Sequence, residues 1–273
     1  MKLSLFISIC IFIAGCSGSK PAPHTQMAHS YGQSAYTCYN SGNFACALVN
    51  YDKALQHAGY SDEPLLQATY MFNIGRIYFE LGRFDTAVQM FKTAATEYAF
   101  YKDSSYLRST VAFIALSLAL GGQTDSANLV RNQNVFMQNR ESPVFYYTVL
   151  ARIAFANGDL LQAESCLDSA RYFIKKKSDP TAIALNCYYR AVLALSKKQY
   201  NESLVLLDSA LQYLDNSPER FRRWKILSGL AAVYFCTNDS GAGFRYYNRA
   251  KECAPAGVTV PVIDEFKNCS YRP

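Results

Sequence analysis

Apolar residues along the chain fall three and four positions apart, in blocks separated by short polar turns, which is the spacing of helices that bury one face. Every second block carries a small residue at the same point: Ala47, Ala87, Ala127, Ala163, Ser203 and Gly243, at spacings of 40, 40, 36, 40 and 40 residues. A period of this length predicts a solenoid of stacked helical units, because one unit cannot bury its apolar face alone. Helix starts support the same register. Ser142-Pro143, Asp179-Pro180 and Ser217-Pro218 place a capping residue before a proline at the first helical position; Glu63-Pro64 does so with a poorer cap, and Asp103 or Ser104 marks the start between. First helices are expected over 64–81, 104–121, 143–157, 180–197 and 218–236, each followed by a partner, giving about twelve helices and almost no sheet.

The second unit carries Met71, Ile74, Gly75, Tyr78, Gly82, Phe84, Ala87, Phe91 and Ala94. This order of large, small and aromatic positions resembles the tetratricopeptide repeat, with Met71 at the place of the leading tryptophan. The resemblance implies an all-α, tetratricopeptide-like solenoid of about six antiparallel helix pairs in a right-handed superhelix. Other units keep parts of the pattern, among them Phe44, Ala47, Tyr51 and Ala54 in the first and Ala163, Leu167 and Ala170 in the fourth. The fifth has Ser203 in the small slot and Lys198 where glycine is expected; in the third, Arg131 and Asn134 replace the aromatic residue and second alanine. The period exceeds the family's 34 residues and approaches that of HEAT-like repeats, the structural alternative, but the order of small and aromatic positions favours tetratricopeptide.

The chain begins with Lys2, an apolar stretch from Leu3 to Ile13, then Ala14, Gly15 and Cys16. That stretch is too short to span a bilayer, which takes about 20 residues, and reads as a secretory signal. Ile13-Ala14-Gly15-Cys16 resembles the lipobox of bacterial lipoproteins, which implies cleavage before Cys16 and acylation of that cysteine, palmitate included. A plain secretory signal or a short anchoring helix is the alternative. The expected organisation is a signal peptide over 1–15, a lipidated cysteine with a flexible tether over 16–30, a repeat domain over 31–256 and a capping tail over 257–273, whose Val258, Val260, Val262, Ile263 and Phe266 would cover the last helix pair. Ser17, where some inner-membrane lipoproteins carry aspartate, implies the outer membrane, facing the periplasm. The formal charge of +6 falls to +5 once Lys2 is removed, and export makes nucleic acid an unsuitable partner despite that balance.

Of nine cysteines, Cys38 and Cys46 flank the turn at Gly42 and are the best-placed pair for a disulfide; none of the spacings is a CxxC motif, and the rest read as small packing residues. The three histidines, His24, His29 and His57, cluster near one end, so no His-based triad, metal site or cofactor is expected and the chain reads as a non-enzyme. Binding is the positive reading. The family's groove positions fall on Tyr36, Tyr39, Phe72, Arg76, Phe79, Phe145, Arg152, Phe155, Tyr188 and Phe235, aromatic and arginine types that are enriched at binding hot spots; the same stripe can instead be core. Arg76 and Arg152, two units apart, could grip acidic groups of a peptide bidentately. The Lys and Asn of the family's chaperone-binding carboxylate clamp are absent, since those positions hold Gly32 and Tyr36, Phe72 and Arg76, or Thr148 and Arg152. Two basic clusters, Lys175 to Lys177 and Arg220, Arg222, Arg223 with Lys225, read as solvated faces, with anionic lipid as the alternative contact. The expectation is a lipid-anchored adaptor for envelope proteins or peptides; the alternatives are a subunit resembling the lipoprotein of the outer-membrane barrel-assembly machinery, and an accessory lipoprotein for glycan or nutrient capture.

Overall fold

A computed structural model describes residues 23–133, 143–175 and 178–261. Among them are twelve α-helices and no strand: α1 (Pro23–Asn40), α2 (Phe44–Tyr60), α3 (Pro64–Glu80), α4 (Phe84–Phe100), α5 (Ser104–Leu120), α6 (Thr124–Arg131), α7 (Pro143–Ala156), α8 (Leu160–Tyr172), α9 (Pro180–Ser196), α10 (Tyr200–Asp215), α11 (Arg223–Cys236) and α12 (Ser240–Cys253). They pack in consecutive pairs, α1 on α2 through α11 on α12, and each pair packs on the next. The long period is explained by α2 to α5, which are each 17 residues long and joined by three-residue turns.

Most starts lie where the capping signals place them. Asp103 accepts from the Tyr106 amide (3.2 Å), and Asp179 from the amides of Thr181 (3.2 Å) and Ala182 (3.1 Å) ahead of α9. Glu63 makes no such bond and instead accepts from Thr25 Oγ1 of α1 (3.0 Å). Ser142 lies outside the described residues. Ser217-Pro218 differs from expectation: α11 begins only at Arg223, after a 3₁₀ turn over Arg220–Arg222. Ser217 Oγ accepts from the Glu219 amide (3.0 Å) and lies 2.6 Å from Thr181 Oγ1, so the serine caps this turn rather than the helix. α1 also starts earlier than expected, inside the stretch read as tether.

The recurring small residues lie where paired helices touch. Ala47, Ala87, Ala127 and Ala163 are fully buried, and a Cβ on Gly243 would lie 2.8 Å from the Phe235 ring. Ser203 occupies the same kind of slot without penalty because its hydroxyl donates to the Ala191 carbonyl across the pair (2.9 Å). Phe91, fully buried, shows what the aromatic positions do: its ring packs 5.5 Å from Phe72 and 5.3 Å from Phe113, and it fills the space a Cβ on Gly75 would take. In the third unit α6 has only eight residues, and Arg131 turns to Gln162 (3.4 Å) instead of entering the core. Asn134 lies outside the described residues.

The array curves back on itself. Phe221, in the turn before α11, belongs to the core of the first two units, edge-on to Tyr39 and Phe44 with ring centroids 5.3 Å away in each case. Gly42 sits at this seam with φ +79°, and a Cβ there would meet that of Phe221 at 2.9 Å, so both backbone and space call for glycine. The expected cap is corrected in one respect. Val260 packs against the core of the last units, but Val258 packs against that of the first two, because closure brings Leu81 to within 3.1 Å of where a Gly257 Cβ would stand. Val262, Ile263 and Phe266 lie outside the described residues.

Cys38 and Cys46 form a disulfide across the first turn (Cα–Cα 5.8 Å), Cys236 is also disulfide-bonded, and Cys166, Cys187 and Cys253 are free. Among the described residues no helix is long and apolar enough to cross a membrane.

Candidate functional site

Helical spacing puts Phe72, Arg76, Phe79 and Glu80 of α3 on the inner side of the curve, where the turn ahead of α11 meets them. Glu219 accepts from Arg222 Nε (2.6 Å) and from Arg76 Nη2; Glu80 pairs with Arg222 Nη1 (2.6 Å) and Lys225 Nζ (3.3 Å). Arg76 also donates to Tyr39 Oη (3.0 Å) and lies over that ring, 4.5 Å from its centroid. This network joins α1 and α3 to residues about 140 to 180 positions further along the chain. It is nearly dry: the Glu80 side chain is 2% exposed and that of Arg222 7%. Burial alone would raise the Glu80 pKa, but the facing charges of Arg222, Lys225 and Arg152 outweigh it and hold the carboxyl down at about 2. Glu219 is likewise held below the usual carboxylate range, against the effect of burial, by Arg222 and Arg76. The Tyr39 hydroxyl is pushed up by burial.

The ten groove positions divide accordingly. Tyr39, Phe72, Phe79, Tyr188 and Phe235 are buried, in cores shared by neighbouring units. Tyr36 is exposed, and Phe145 is half-buried against Phe113 at 5.7 Å. Arg76 does hold an acidic group, but that group is Glu219 of its own chain. The second basic cluster is corrected in part: Arg222 is buried and Lys225 pairs with Glu80, because the turn and the start of α11 pack into the ring, whereas Arg223 pairs with Asp215 (3.1 Å) at the surface. Arg220 remains exposed. Lys176 and Lys177 of the other cluster lie outside the described residues.

Beside the network a cavity of about 740 Å³ opens between α3, α7, α9, α11 and the stretch Val258 to Pro261. Phe79, Phe155, Tyr188, Tyr189 and Trp224 supply its aromatic wall. Arg152 and Lys225 face it with Glu80. Of the groove positions, Phe79, Arg152, Phe155 and Tyr188 are thus brought together. Sequence reasoning missed Glu80, Tyr189, Trp224 and the turn at Glu219 and Phe221. Only the concentration of Arg, Trp and Lys after Ser217-Pro218 hinted at that turn. Among the described residues no group of three His, Cys, Asp or Glu is arranged to hold a metal ion; His24 and His57 approach at 2.9 Å at the far end of α1, where His57 also stacks on Tyr31.

The family profile of the tetratricopeptide repeat matches residues 26–96, which are α1 to most of α4. No curated protein matches in sequence. Among solved structures, the crystal structure of Rap protein complexed with competence and sporulation factor superposes with a TM-score of 0.66 at 12% identity, covering 85% of this chain and 76% of that one. BtubC from P. vanneervenii gives 0.49 at 16% identity over 85% and 91% of the two chains. The TPR2AB-domain:pHSP90 complex of yeast Sti1 gives 0.37 at 13% identity over 90% and 98%. The repeat profile and the superposition on Rap protein give the fold as that of a tetratricopeptide-type solenoid.

Proposed function

We propose that this chain is a lipid-anchored scaffold of the bacterial envelope that holds a peptide, or an extended segment of a protein, inside its ring of repeats. The observation that carries the reading is the aromatic cavity within the curve, large enough for a ligand and bordered by an excess of cations. Rap protein, which shares this fold, is complexed with competence and sporulation factor, and that supports a binding role over a catalytic one. The anchor rests on the lipobox-like Ile13 to Cys16, and the outer membrane facing the periplasm on Ser17. With α1 starting at Pro23, six residues separate Cys16 from the repeats, a reach of at most about 20 Å, so the ring would ride close to the bilayer surface.

Two measurements test this. A photo-crosslinker at Phe155, which lines the cavity, should capture a discrete envelope protein or peptide in cells, whereas one at Leu161 on exposed α8 should not; equal or absent capture at both positions would defeat the binding reading. Cys16→Ser should release the protein from membranes, and a variant that still fractionates with them would remove the anchor.

A further inference from the structure

Arg152 differs from the other cations around the cavity. It is 8% exposed, its guanidinium lies between the rings of Phe79 (5.2 Å) and Tyr189 (5.3 Å), and its Nε is buried without a hydrogen-bond partner. The nearby carboxylates are already engaged: Glu80 by Arg222 and Lys225, Glu219 by Arg222 and Arg76. Of the charged residues that line the cavity, Arg152 and Lys225 are two cations against the one carboxylate of Glu80, an excess of one positive charge. Arg152 adds to the field that holds Glu80 ionised, but a buried N–H without an acceptor is costly, and the planar fork of arginine matches a carboxylate at two points. Contact with two aromatic rings restricts the positions that fork can take.

From this geometry we infer that the cavity binds a carboxylate attached to an apolar body, with Arg152 as the anchoring residue and Phe155, Tyr188 and Trp224 enclosing the apolar part. A space of about 740 Å³ suits a ligand of drug-like or short-peptide size rather than a folded domain. The inference rests on the ring-interior reading proposed above and adds the chemistry of what enters.

Trp224 is the only tryptophan in the chain and lines the cavity, so its fluorescence reports on occupancy directly. The full mature chain in detergent would be titrated with three pools of N-acetylated tetrapeptides of mixed Leu, Ala and Phe: one with a free C-terminal carboxylate, one amidated, and one amidated but containing a single Glu. A carboxylate requirement predicts that the neutral amides bind at least about tenfold more weakly than the free acids, as expected for a lost charge-assisted contact. If the Glu pool matches the free acids, the requirement stands and a carboxylate in either place meets it; if it matches the amides, the carboxylate must be that of the chain terminus. Arg152→Gln should remove the preference for acids while the chain keeps its wild-type circular dichroism, which separates a lost contact from a lost fold. Arg152→Lys, which keeps the charge but not the fork, should retain part of it. Equal binding of free acids and neutral amides, or an unchanged preference in Arg152→Gln, overturns the inference, as does absence of binding by all three pools at millimolar concentration. Crosslinking at Phe155 that persists in Arg152→Gln would then show that the scaffold reading survives without it.

Discussion

Arg222→Ala is expected to lower the unfolding free energy by about 3–5 kcal/mol, because it leaves Glu80 and Glu219 buried with much of their counter-charge removed. The loss should come with a change of shape. Arg222 and its neighbour Phe221 join the turn ahead of α11 to α1 and α3, so without the guanidinium the ring should open and the radius of gyration measured by small-angle scattering should rise. A variant with wild-type stability and wild-type scattering would show that packing around Phe221 closes the ring without the ions. Acid should mimic the substitution. A glutamate in an unfolded chain titrates near 4.3, whereas Glu80 is held at about 2. A carboxyl with a depressed folded pKa contributes stability that is complete above the unfolded value and disappears as pH falls toward the folded one. For Glu80 this amounts to roughly 3 kcal/mol, lost between about pH 5 and pH 2. Urea midpoints measured across that window should fall steeply for the wild type and less steeply for Glu80→Gln.

Phe91→Ala should cost a comparable 3–5 kcal/mol by a different mechanism. The fully buried ring contacts Phe72, Phe113 and the face of Gly75, all parts of rigid helices that cannot collapse into the space left behind. Repeat arrays couple each unit only to its neighbours, so hydrogen exchange should accelerate most in α3 to α5 and least in α9 and α10. The corresponding position one unit later provides the control. Arg131 lies at the end of an eight-residue helix and reaches outward to Gln162, so Arg131→Ala should fall within about 0.5 kcal/mol of wild type. Equal losses in urea unfolding for the two variants would mean that the aromatic position is not where these helix pairs are held together.

Much of the local structure could be read from the chain because its causes are local. Asp103 and Asp179 cap the helices that follow them, Ala47, Ala87, Ala127 and Ala163 lie at the helix contacts, and the repeated order of small and aromatic residues is a property of each pair. Lys198 illustrates the same point: it was read as standing in a glycine's place, and it adopts φ +60°. The third unit, degenerate in sequence, has a second helix of only eight residues, which the sequence pattern did not announce.

The groove was legible only in part. A helical stripe tells which residues share a face, but not what comes to cover that face after five further units have been stacked. Small rotations between units accumulate until the turn at Glu219 meets α3, and no period in the sequence records that sum. Tyr39 and Arg76 were therefore correctly placed on the inner face and yet are occupied by the chain itself, while Arg222, read as solvated, is buried. The sequence by itself determined the repeat, its helix pairs and its small and aromatic contacts, because those depend on residues within one unit. Tertiary structure alone decided that the array closes, which cations are neutralised by Glu80 and Glu219, and that Arg152 faces an aromatic cavity with its Nε lacking an acceptor, because each depends on groups brought together by the curvature of the whole array.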